Sequence, residues 1–155
     1  MKLRDFIVTD SIIAELKATD RDGAIRELVS SLASSGAIPT DAADEIVAAL
    51  IKREQNGSTG FGKGVAVPHT KHPKITKMAA TVGRSANGID FSALDHQPVY
   101  SIVLLLSPEN QPQQHLQAMN TVFTNLQKDL FRRFLRQSAT REAIVDLLDE
   151  ADQGK

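Results

Sequence analysis

The sequence predicts a three-layer α/β sandwich, with a mixed β-sheet flanked by helices on both faces. Three observations predict it. Residues 99–106 are apolar almost throughout, as in a strand covered on both faces. Apolar residues recur at helical spacing on both sides of that run. Short strand-like segments lie between the helical ones, so the sheet must sit between helical layers. Strand order does not follow from the pattern.

Residues 7–16 are mixed and read as an entry strand or a short helix. Thr19 is placed to cap a helix whose apolar set is Ala24, Ile25, Leu28, Val29 and Leu32, and Gly36 stops it. A second helix starts at Pro39-Thr40-Asp41, carries Ile46, Val47, Leu50 and Ile51 on one face, and ends before Asn56-Gly57. Residues 57–64 form a loop. Val65-Ala66-Val67 is a short strand, with Val67 held extended by Pro68. Residues 77–84 read as a strand and Ser85-Ala86-Asn87-Gly88 as a turn. After the buried strand, residues 107–112 are a loop. One helix then carries Leu116, Met119, Val122, Phe123 and Leu126 inward, and another Leu130, Phe131, Phe134 and Leu135. Thr140 caps a last helix with Ile144, Leu147 and Leu148. Residues 1–150 are expected to form one domain, and 151–155 a frayed tail.

Composition excludes several classes. The chain has 155 residues, and its net charge of −1 provides no global field for nucleic acid or an anionic membrane. With no cysteine there is no disulfide, thiolate metal site or cysteine nucleophile. The N-terminal residues lack an apolar signal core, and the longest apolar run is too short to span a bilayer. The expectation is a soluble cytoplasmic protein with no direct membrane insertion.

The segment from Lys52 to Thr70 concentrates chemistry. It holds Arg53, Glu54, four glycines, Ser58, Thr59 and, after Val65-Ala66-Val67-Pro68, His69. Imidazole is a neutral nucleophile near pH 7, and arginine and backbone amides hold phosphate. Gly60-Phe61-Gly62-Lys63-Gly64 is neither a Walker A loop nor a dinucleotide fingerprint. Spacing alone leaves two readings: a phosphoryl group carried on His69, or a solvent-facing histidine beside a turn. Arg53 and His115 each have the same pair of readings, a phosphate contact or a solvated side chain. Glu54 orients Arg53 or His69, or is solvated. Ser58 and Thr59 cradle a phosphate oxygen or merely form the turn, and Thr70 can donate a hydroxyl. Lys63, Lys71, Lys74 and Lys77 form a positive rim or a solvated loop. His72 and His96 read as surface residues. His69-x-x-His72 has a metal-pair spacing, but no third ligand is placed, so no metal and no cofactor are expected. Phe61 and Val65 are candidates for an exposed docking ridge.

The run Arg53-Glu54 … Ser58-Thr59-Gly60 … Gly64-Val65-Ala66-Val67-Pro68-His69 resembles the signature of phosphotransferase-system enzyme IIA domains of the fructose, mannitol and nitrogen-regulatory type. Gly88-Ile89-Asp90-Phe91, the strand around Val103-Leu104-Leu105-Leu106, His115-Leu116 and the ending from Ser138 to Leu148 resemble that family too. The resemblance implies that His69 is phosphorylated by the phosphohistidine of HPr or a nitrogen-type HPr. It implies that Arg53 neutralises the phosphoryl group and that His115 hydrogen-bonds the first histidine or the phosphate. The acceptor is then a cysteine of a IIB protein in trans, within sugar uptake, and the chain a stand-alone IIA. The alternative is a regulatory protein whose phosphorylation switches binding to a target protein. A third reading is a non-catalytic ligand-binding module, against which the intact Arg53, His69 and His115 set stands.

Overall fold

The computed structural model describes residues 1–154, and strand β4, Val99–Pro108, lies at the centre of its sheet. Along one edge of β4 run two short parallel strands, β1 (Val65–Ala66) and β2 (His69–His72). Val65 pairs with Ser101 and His69 with Leu105, so the register is unchanged across Val67 and Pro68. Proline lacks the N–H that a continuous ladder needs, which interrupts the strand without shifting it. On the other edge β3 (Ala79–Ile89) runs antiparallel.

The sheet is mixed, as expected, and β4 alternates between two cores. Ile102, Leu104 and Leu106 join the first core, which α1 (Arg21–Ser34) and α2 (Ala43–Gln55) cover. Val103 and Leu105 join the second, beneath α3 (Pro112–Leu126), α4 (Asp129–Gln137) and α5 (Arg141–Asp152). Burying both faces explains the unbroken apolar run, since each such side chain contributes ~1.5–3 kcal/mol.

Several expected elements differ. Residues 7–16 hold a short 3₁₀ helix, Thr9–Ser11, but neither a continuous strand nor an α-helix. They also form isolated parallel bridges from Ile7 to Ala80 and Ile13 to Gly83, shielding the outer edge of β3. Asp20, not Thr19, caps α1 by accepting from Gly23 N. Ser85 to Gly88 is not a turn: β3 continues through it with a register shift between Arg84 and Ile89. Gly88 takes φ +87 there, close against Pro98 and Tyr100. Residues 69–72, left without an element in the sequence reading, are β2. The last helix runs to Asp152, into the segment expected to fray, and the Asp152 carboxylate accepts from Leu3 N at 2.7 Å and Arg4 N at 3.0 Å. No helix among the described residues is long and apolar enough to cross a membrane.

Candidate functional site

His69 opens β2 rather than ending an apolar strand. Pairing with Leu105 puts its side chain on the α3 face of the sheet. Its Nδ1 lies 2.7 Å from Val67 O. A carbonyl oxygen can only accept, so Nδ1 carries the proton and Nε2 keeps the lone pair. Partial burial lowers the His69 pKa from 6.5. The Val67 carbonyl and the Glu54 carboxylate pull it up, and the Arg53 charge pushes it down, with a net lowering. The ring is therefore neutral at pH 7.

His115 sits in the first turn of α3, behind Pro112 at the helix start, and is buried. The two imidazole rings are 5.6 Å apart, centroid to centroid. Nδ1 of His115 is 2.7 Å from the hydroxyl of the buried Ser107. Burial first, then the neighbouring His69 and Lys71, push its pKa down to about 4. The sheet register accounts for this grouping: Lys71 pairs with Ser107 two positions after His69 pairs with Leu105, so His69, Lys71 and Ser107 share a face. A neutral ring whose Nδ1 accepts a hydrogen bond from the Ser107 hydroxyl presents Nε2–H as a donor.

Arg53 lies in the last turn of α2, and its guanidinium donates to Gly57 O at 2.8 Å. It is exposed and close enough to His69 to depress its pKa. Glu54 is only 3% exposed. One carboxylate oxygen accepts from Thr59 N at 2.9 Å and the other from the Thr59 hydroxyl. Glu54 is thus neither solvated nor bonded to Arg53 or His69. Glu54 and Thr59 are committed to each other, and an occupied, buried carboxylate repels phosphate. The structure makes them a brace for the loop rather than phosphate ligands. Thr59 O in turn accepts from Val67 N at 3.3 Å. The oxygen of half-buried Ser58 accepts from Gly60 N at 2.9 Å, which closes the turn and leaves its O–H available to donate.

Thr70 stands on the opposite face of β2, and its hydroxyl donates to Lys71 O at 3.3 Å. His72, on that same face, is partly buried: Nδ1 accepts from Lys74 N, and Nε2 lies 3.6 Å from Glu45. Lys74 also pairs with Glu45, at 3.2 Å, and so leaves the positive rim. Among the described residues no three His, Cys, Asp or Glu side chains are grouped for a metal ion. The docking-ridge expectation is corrected at Val65, which is buried in the second core. Phe61 is half-buried and packs on Phe123 at 5.2 Å between centroids. The exposed apolar side chain beside His115 is Leu116, 67% exposed, which the sequence reading put inside. Ser107 was missed, although its place two residues after Leu105 fixes its face.

With this geometry in view, residues 5–151 match the family model of the phosphoenolpyruvate-dependent sugar phosphotransferase system, EIIA 2. The chain belongs to this EIIA family. Among its relatives, this EIIA chain is 33% identical over 148 residues to the nitrogen regulatory protein of Bradyrhizobium diazoefficiens, covering 96% of this chain and 95% of the relative. It is 28% identical over 153 residues to the fructose-specific EIIABC component of Bacillus subtilis, covering 99% of this chain but only 24% of that longer protein. The fold matches nitrogen regulatory protein IIA-Ntr from Neisseria meningitidis with a TM-score of 0.82, 24% identity, and coverage of 93% and 97% of the two chains.

Proposed function

We propose that the protein is a histidine phosphocarrier, accepting a phosphoryl group on Nε2 of His69. The supporting observation is the bond from His69 Nδ1 to Val67 O, which leaves Nε2 as the only ring nitrogen with a lone pair. That lone pair attacks the phosphorus of a phosphohistidine on HPr or a nitrogen-type HPr. The N–P bond of the donor breaks, its electron pair returns to the donor ring, and a new Nε2–P bond forms. The His69 ring gains positive character, which the Val67 carbonyl stabilises. Charge spread over the phosphoryl oxygens meets Arg53 and the Nε2–H of His115, with the Ser58 hydroxyl as a further donor. A cysteine thiolate of a IIB protein then attacks the phosphorus, an S–P bond forms, and His69 recovers its lone pair. The role that follows is fructose- or mannitol-type sugar uptake.

A second reading is regulation, with the phosphoryl charge on His69 switching a protein interface. The 33% identity to a nitrogen regulatory protein over nearly its whole length favours it. Purified phosphoprotein mixed with IIB proteins distinguishes the two. Rapid transfer to a IIB cysteine supports uptake. Retention of the group, with binding to a target protein that depends on phosphorylation, supports regulation.

A further inference from the structure

Away from His69, the loop bearing Lys63, strand β3 and helix α4 enclose two adjoining hollows of about 590 and 290 Å³. Lys63, Arg132 and Arg136 line both, and Arg84 and Arg133 line the larger. Among the described residues two carboxylates, Asp129 and Asp95, line these hollows beside the five cations, and a third, Glu15, pairs with Arg84 from outside, in a chain whose net charge is −1. Asp129 is already taken by Arg133 at 3.0 Å and Arg132 at 3.4 Å.

We propose that this cleft binds a small phosphorylated molecule, a phosphate monoester or a diphosphate. The Arg84 and Arg132 side chains are only 11% and 13% exposed. Arg84 Nε donates to Arg136 O at 2.6 Å, and Arg132 Nη1 to Leu126 O at 2.7 Å. Carbonyls satisfy N–H groups but leave the positive charge, and Glu15 stands 3.6 Å from Arg84 on the surface. Partly desolvated cations that are incompletely neutralised sustain a field in a concave site.

The Arg136 guanidinium lies 3.5 Å over the centre of the Tyr100 ring. Such stacking fixes its plane and leaves its edge N–H groups facing outward. Among the described residues, neither Arg136 nor Lys63 has a side-chain ion pair or hydrogen bond. Lys63 also takes φ +61, flanked by Gly62 and Gly64, both at positive φ. A left-handed backbone is one that side-chain-bearing residues rarely adopt. Cations reaching one concavity from a loop, a strand and a helix suit a tetrahedral dianion, which accepts from several directions, better than a planar carboxylate. A hollow of this volume fits a small molecule rather than a flat macromolecular face. It shares no residue with Arg53, His69 or His115, so the proposal is independent of phosphoryl transfer.

The test is titration of the full chain with inorganic phosphate, pyrophosphate and AMP at 150 mM sodium chloride, followed by amide NMR shifts. Saturable shifts centred on Lys63, Tyr100 and Arg136 are expected. Equal affinity for phosphate and AMP identifies free phosphate as the ligand, and tighter AMP or pyrophosphate an ester or diphosphate. Lys63→Gly removes the charge at a position glycine adopts freely. It and Arg136→Ala are each expected to weaken binding at least fivefold, with Arg136→Lys intermediate and Lys17→Ala unchanged. Shifts confined to His69, equal weakening by Lys17→Ala, no saturation, or tighter binding of an oligoglutamate peptide than of pyrophosphate would overturn the proposal.

Discussion

His69 Nδ1 and Val67 O are 2.7 Å apart, so the peptide that Pro68 holds extended also sets the tautomer of the histidine. The connection continues backwards. Val67 N donates to Thr59 O at 3.3 Å, and Thr59 N donates to Glu54 at 2.9 Å. A buried carboxylate is linked to the nucleophile through the backbone of two residues, Thr59 and Val67.

Breaking that link has two expected consequences. Glu54→Ala leaves Thr59 N and its hydroxyl without a partner in a buried site, at a cost of about 1–3 kcal/mol in urea unfolding. Glu54→Gln keeps an acceptor but removes the charge that raises the His69 pKa, so the His69 titration midpoint falls further. Unchanged stability in Glu54→Ala, together with an unchanged His69 midpoint in Glu54→Gln, would dissolve the brace.

Among the described residues Arg53 bonds only to Gly57 O, and it is exposed, so its loss is cheap for the fold. Arg53→Ala is expected to change stability by less than about 0.5 kcal/mol. It is expected to slow phosphorylation by about 10²-fold, the cost of removing one donor from a developing oxyanion. Rapid-quench transfer rates from phosphorylated HPr check this, and a rate within a factor of two of wild type contradicts it.

The histidines carry a pH dependence of definite sign. Both folded-state pKa values lie below the unfolded 6.5, His115 at about 4. Between those values the unfolded chain binds more protons, so stability falls as pH drops from 6.5 towards 4. His115→Gln is expected to lose part of that acid destabilisation, seen as a smaller Tm decrease over that window. NMR titration of His115 should find its midpoint near 4. A midpoint near 6.5 would mean that the ring is solvated.

The sequence made some of this legible and hid the rest for physical reasons. Residues 99–106 announced a doubly buried strand because Ile102 to Leu106 form an unbroken apolar run with no polar face. His69-Thr70-Lys71-His72 did not announce β2, because it is an edge strand with no buried apolar alternation and is defined by pairing with a distant strand. Leu116, Leu130 and Phe134 fit helical spacing yet are 67%, 58% and 50% exposed, since periodicity gives a stripe's width but not its limits. At the site, His69, His115 and Arg53 were visible as residue types. Ser107 and the Glu54–Thr59 brace were not, because their roles depend on strand register and on loop burial.

Gly88 was read as a turn residue and instead permits a kink inside β3. A Cβ there would meet Pro98 Cβ at 2.9 Å, at φ +87. Gly88→Ala is expected to destabilise by about 1–3 kcal/mol in chemical denaturation, from strain and overpacking together. A change below about 0.5 kcal/mol, within the range of ordinary surface substitutions, would show that the strand relaxes freely there.

The most direct test of the account is intact mass after incubation with phosphoenolpyruvate, enzyme I and either HPr or a nitrogen-type HPr, for wild type and His69→Ala. The account requires one acid-labile phosphoryl group on the wild type and none on the variant. Equal uptake by His69→Ala, or no uptake by wild type from either donor, would contradict it.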